Sequence, residues 1–149
     1  MSENIIEINH LRKSFGSKVV LKDINLTIPK GSTVVILGLS GQGKSTIIKH
    51  IVSLLKPDSG EIIVDGVDVA KASEEEIFET RKKIGFLFQE GAMFDSMNIY
   101  DNVAFPLREH TKLSEEEIRE KVFEKLDMLG FDSERVAKLY PYELSGGMR

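Results

Sequence analysis

The sequence predicts an α/β fold: an N-terminal antiparallel β subdomain, a phosphate-loop (P-loop) NTPase core, and part of an α-helical subdomain. Three observations carry this. Residues 24–28 alternate apolar and polar side chains with period two. Residues 38–45 read GLSGQGKS, a glycine-rich loop between an apolar run and a helical stretch. Residues 118–129 repeat apolar positions at helical spacing. Strand signals come first and helical signals last, dividing the chain into residues 1–88 and 89–149.

Taken in order, Ile5, Ile6 and Ile8 open a first strand, and residues 15–18 (FGSK) form the turn after it. Val19, Val20 and Leu21 lead into the alternating second strand, which Pro29 and Gly31 end. Residues 33–37 (TVVIL) are continuously apolar, as expected of a strand buried on both faces. The glycine loop follows, then a helix over residues 44–55. Residues 57–60 (PDSG) read as a turn and 61–66 as strand and turn. Ser73 with Glu76 makes a capping box for a short helix ending near Lys83. Residues 84–88 (IGFLF) predict another apolar strand. Ser114 with Glu117 is a second capping box, Ile118, Val122, Leu126 and Leu129 mark one helix face, and Gly130 stands at its stop. At about Arg149 another helix is expected to begin.

Composition narrows the function classes. Of 149 residues, 41% are hydrophobic and 30% charged, which argues for a packed domain rather than a disordered chain. The net charge of −4 comes with no long basic run, so no nucleic-acid partner is expected. The absence of cysteine excludes disulfides and thiolate metal sites. The N-terminal residues lack a signal-peptide pattern, and the longest apolar runs are strand-sized. His10, His50 and His110 show no metal-ligand spacing. The acidic runs at residues 74–76 and 115–117 read as first turns of helices, favoured by the helix dipole.

The loop carries the chemistry. Gly38, Leu39, Ser40, Gly41, Gln42, Gly43, Lys44 and Ser45 fit G-x-x-x-x-G-K-[ST] in full. Glycines let backbone N–H groups turn inward around a phosphate, and the following helix offers its N-terminal N–H groups to the same anion. Lys44 would neutralise the β- and γ-phosphates, and the Ser45 hydroxyl would ligate Mg²⁺. This predicts NTP binding without saying which NTPase.

Three further segments resemble the ABC ATPase family. Residues 144–147 (LSGG) match the start of its LSGGQ signature, Phe88 and Gln89 stand at its Q-loop, and residues 11–16 (LRKSFG) look like the segment carrying its adenine-stacking aromatic. The resemblance covers essentially the whole chain. It implies that Phe15 stacks on the adenine with Val20 beside it, and that residues from Gly38 through Thr46 hold the phosphates. Gln89 would reach Mg²⁺ and the attacking water. Ser145, Gly146 and Gly147 would grip the γ-phosphate of ATP bound to a second ATPase subunit, so that a homodimer closes on two nucleotides. Transmembrane permease subunits would then hold the ATPase at the inner face of the cell membrane, in the cytoplasm. Phe15 stands where many relatives have Tyr, and Met148 where the signature has Gln; the phosphate-facing Ser and glycines are unchanged.

More narrowly, residues 88–111 with Leu144 through Met148 resemble the ATPase of Mla-type transporters, which move phospholipid between bacterial membranes. Gly91, Ala92, Met93 and Phe94 form either a groove for a permease coupling helix or a buried turn. The resemblance also places the Mg²⁺-supporting Asp, the water-polarising Glu and the phosphate-sensing His after the signature. No catalytic residue is therefore expected within this chain, which would be a truncated ATPase that binds ATP without turnover. A deliberate fragment, a proteolysed product and a self-associated half domain all satisfy that expectation. Two other functions remain open: a non-catalytic nucleotide-binding module, and an ABC ATPase without a transporter. The compact spacing from Gln89 to Ser145 speaks against the inserted arm of the second.

Overall fold

The computed structural model describes residues 3–89 and 91–148. The chain divides into two compact units, Met1–Phe86 and Leu87–Arg149.

In the first unit, β1 (Asn4–Phe15) and β2 (Lys18–Pro29) form a long antiparallel hairpin. Its two-residue loop requires a positive φ at the first central position, and Gly16 supplies 58°. β3 (Ser59–Val64) pairs with the other edge of β1, and the two-residue β4 (Val67–Asp68) completes an antiparallel sheet of order β2-β1-β3-β4. The β1–β3 register shifts between Asn9 and Arg12, where His10 adopts φ 53°. There β3 approaches so closely that a Cβ on Gly60 would lie 2.6 Å from the His10 carbonyl oxygen, so only glycine fits.

Helix α1 (Lys44–Ile51) lays Ile47 and Ile51 against Ile8, Leu11, Leu21, Ile62 and Val64 of the sheet. Helix α2 (Glu74–Arg81) starts at the Ser73–Glu76 capping box, with both reciprocal bonds formed. Its Arg81 guanidinium donates to the Val52 and Ser53 carbonyls, satisfying acceptors just past the end of α1.

The second unit is helical. Helix α3 (Ile99–His110) is capped by the Asn98 side chain and contains Pro106. α4 (Glu115–Met128) begins at the Ser114–Glu117 box, and α5 (Ser133–Val136) follows Gly130, whose φ is 74°. Ile99, Ala104, Ile118, Val122, Leu126, Val136, Ala137 and Leu144 form its core. A 3₁₀ turn, Pro141–Glu143, precedes the chain's last described residues.

Four expectations are corrected. Residues 33–37 and 84–88 form no strand; the four strands among the described residues pair with neither run. Val35 and Leu37 are 71% and 86% exposed, and Leu87 is 83% exposed. An apolar run becomes a strand only when a neighbour takes its N–H and C=O groups. The helix expected over residues 44–55 stops at Ile51 because Ser53 turns left-handed, with φ 54°. Leu129 lies outside the α4 core stripe and is exposed, since the helix ends at Met128 and the chain reverses at Gly130. Residues 146–148 form a turn, and the helix expected to begin at about Arg149 lies outside the described residues.

Candidate nucleotide site

The four longest helices begin in two different ways. Ser73, Asn98 and Ser114 each accept a backbone N–H with a side-chain oxygen at the start of α2, α3 and α4, and each of those first turns carries an acid. α1 has Gly43 at its N-cap, no side-chain cap and no acid in its first turn. Its leading N–H groups and positive dipole end are left for an anion from outside the helix.

The loop ahead of α1 is rich in glycine and folds back on itself. Gly41 and Gly43 have φ of 77° and 90°, which turn the backbone in a way side chains resist. A Cβ on Gly43 would lie 3.0 Å from both Val20 and Leu21, so the loop rests directly on β2. The Gln42 amide oxygen accepts the Leu39 N–H at 3.3 Å. Lys44 curls along the loop, its Nζ donating to the carbonyls of Gly38 at 2.8 Å and Leu39 at 2.7 Å. Ser40 and Ser45 are exposed, and Thr46 is half-buried. The carbonyl of Thr46 also accepts from the ring of His50 at 2.7 Å, if Nδ1 carries the proton, and that ring is fully buried in the sheet-facing side of α1.

Phe15 ends β1 and is 48% exposed, while Val20 is half-buried on β2 beside Gly43. The aromatic segment, Val20 and the whole loop thus belong to the first unit. Gln89 and the segment 144–148 belong to the second. Gln89 is exposed and lies in a turn, with the Gly91 N–H donating to the Phe88 carbonyl at 3.0 Å. Ser145, Gly146 and Gly147 form an exposed turn between two anchors: buried Leu144, and Met148, which packs on the helical core and whose N–H bonds the Ser145 carbonyl. Met148 therefore acts as a packing residue where a glutamine would be polar.

The segment after Gln89 is neither wholly buried nor wholly open. Met93 packs on the core, whereas Phe94 is half exposed, its ring edge-on to Phe105 at 5.1 Å. Asn102 braces it, accepting the Phe94 N–H and donating to the carbonyls of Phe94, Met97 and Asn98.

Two residues unmarked by the motifs stand behind Phe15. Lys13 and Asp58 form an ion pair at 2.8 Å, and the Lys13 ammonium sits 5.6 Å from the centroid of the Phe15 ring. The bond from Lys13, together with one from the Ser14 N–H, holds the Asp58 carboxyl below its ordinary range. They are 45 residues apart, and pattern reading has no signal for that pairing.

The family profile described as ABC transporter matches residues 21–149. The chain belongs to the ABC transporter family. It is 53% identical over 144 residues to the probable ribonucleotide transport ATP-binding protein mkl of Mycobacterium tuberculosis, covering 97% of this chain and 40% of that protein. It is 45% identical over 148 residues to the intermembrane phospholipid transport system ATP-binding protein MlaF of Haemophilus influenzae, covering 99% and 55%. Among solved structures, the ATP-binding cassette MJ0796, a dimer in a post-hydrolysis state with ADP and Pi, superimposes with a TM-score of 0.85 at 34% identity, covering 95% of this chain and 64% of that one. This ABC chain thus spans about half the length of the curated relatives it matches. Its α/β P-loop architecture is that of ABC cassettes. Among its described residues no helix is long and apolar enough to cross a membrane, and no group of three or more His, Cys, Asp or Glu could hold a metal.

Proposed function

We propose that this chain is the ATP-binding part of a transporter ATPase, and that the whole protein couples Mg-ATP binding and hydrolysis to movement of phospholipid across or between bacterial membranes. The observation that carries the nucleotide reading is the uncapped, acid-free start of α1 behind a complete phosphate loop. Residues 1–88 would form the β and phosphate-loop part of one ATPase domain, and 89–149 its helical part; the division of the chain after Phe86 supports that boundary.

In this reading Gly38 through Thr46 wrap the phosphates with backbone N–H groups, and Lys44 leaves the Gly38 and Leu39 carbonyls for phosphate oxygens. Phe15 stacks on the adenine, with Val20 packed beside it. Mg²⁺ would be held by phosphate oxygens with the exposed Ser45 hydroxyl, and by Gln89 directly or through water. The ion would supply charge neutralisation at the transferring phosphate. Bringing the ion in with ATP suits a chain whose described residues offer no carboxylate cluster. The exposed turn of Ser145, Gly146 and Gly147 can meet a second subunit's nucleotide with a hydroxyl and backbone N–H groups, which supports a homodimer. The half-open Phe94 segment supports a permease contact, which would keep the ATPase peripheral on the cytoplasmic face of the membrane.

Titration calorimetry with Mg-ATP tests the site. Lys44→Ala should weaken binding about tenfold or more, the worth of charge-assisted bonds to phosphate. Unchanged affinity would sink the reading. The name of mkl favours a second cargo, a ribonucleotide. Reconstituting the whole protein with its permease in liposomes decides between them: ATP-dependent transfer of labelled phospholipid supports the first cargo, and uptake of a labelled ribonucleotide replaces it.

A further inference from the structure

We propose that Lys13 and Asp58 are positioning residues that set the Phe15 ring for the nucleotide base; this rests on the reading of Phe15 as the base-stacking aromatic. The need for such a device is visible in the sheet. The β1–β3 ladder runs out at the Arg12–Ser59 pair, and the β1–β2 register shifts on both sides of Lys13. The strand therefore enters its last three residues with one neighbour lost and the other irregular, just where it must present a half-exposed ring.

Residues 56–58 take over from the ladder. The Asp58 N–H donates to the Arg12 carbonyl at 3.0 Å, and the Ser14 N–H donates to Asp58 Oδ2 at 2.6 Å. Lys13 Nζ donates both to Asp58 Oδ1 and to the Lys56 carbonyl, each at 2.8 Å. The Asp58 carboxylate thus bridges the Ser14 N–H and the Lys13 side chain, one and two residues before Phe15. The Lys13 side chain is only 16% exposed and that of Asp58 is 44% exposed, so the lysine end of the pair is shielded from water while the carboxylate end is open. With its ammonium over one face of the Phe15 ring, Lys13 leaves the other face for a base. Carboxylate and lysine together fix where the ring stands and which face it offers.

The test compares two ligands that share the phosphates and differ in the base: ATP and inorganic triphosphate. Asp58→Asn and Lys13→Met should each weaken ATP binding roughly fivefold, a fraction of what base stacking contributes, and leave triphosphate affinity within about twofold. Lys13→Arg, which keeps the cation and a donor for Asp58, should restore ATP binding. Phe15→Ala is the control for the underlying reading. If it costs ATP and triphosphate alike, the stacking role itself fails. If it costs ATP selectively while Asp58→Asn and Lys13→Met change nothing, the positioning role alone is overturned. Equal losses of both ligands in the two variants also overturn it, because they would report a damaged phosphate loop.

Discussion

Two apolar runs of the first unit, similar in composition, meet opposite fates. Ile62 and Val64 of β3 are buried to 0% and 4% exposure, while Val35 and Leu37 stand at 71% and 86%. The difference is a neighbour. β3 has β1 along one edge and α1 over its face, whereas the other run pairs with none of the sheet's four strands. Hydrophobicity says that a segment gains from being covered, and only a partner at hydrogen-bonding distance makes it a strand. The helix starts repeat the contrast in polar terms: α2 and α4 satisfy their own N-termini, and α1 has neither a side-chain cap nor an acid in its first turn.

The comparison can be broken most directly at Ile62. Ile62→Ala should cost about 2–5 kcal/mol in urea unfolding, from lost burial and the cavity left behind. A cost below about 1 kcal/mol would mean that the sheet and α1 do not form the tight core described. Next comes the helix start. Ser114→Ala removes the cap of α4 and should cost about 1 kcal/mol by the same measurement.

The capping boxes also carry a pH signature. Bonds from the backbone and then the side chain of Ser73 hold the Glu76 carboxyl below its ordinary value, and Ser114 does the same for Glu117. A carboxyl with a depressed folded-state pKa stabilises the fold above its unfolded value, and that stabilisation disappears as pH falls through the folded one. Stability should therefore drop below the usual glutamate range, and Glu117→Gln should flatten part of the drop in urea midpoints measured against pH. A slope unchanged by Glu117→Gln would assign the acid sensitivity to other carboxylates.

The smallest effect is expected at Leu37. Leu37→Ser should alter the stability of this chain by less than about 0.5 kcal/mol, as for other open surface positions. A loss near 2 kcal/mol would show that the run is covered in solution, and its concentration dependence would tell a second copy from the chain's own residues.

Local chemistry was readable without the fold. The bend of the glycine loop is legible because Gly41 and Gly43 lie within eight consecutive motif residues, and backbone conformation follows from residue type over that distance. Both capping boxes are legible for the same reason, being three-residue contacts. The hairpin of β1 and β2 follows from alternation with a glycine turn. Tertiary structure alone decided the rest. Whether residues 33–37 and 84–88 become strands depends on neighbours that no apolar run specifies. Leu129 leaves the helical stripe because the chain turns at Gly130. Gly60 is required by the close passage of His10, fifty residues earlier in the chain. Lys13 and Asp58 meet only because β1 and the start of β3 are sheet neighbours. Sequence determined what each segment would gain by being covered, capped or charged, because those gains are local. Which partner provides the cover was decided by packing, because a contact between distant residues has no signature in either segment alone.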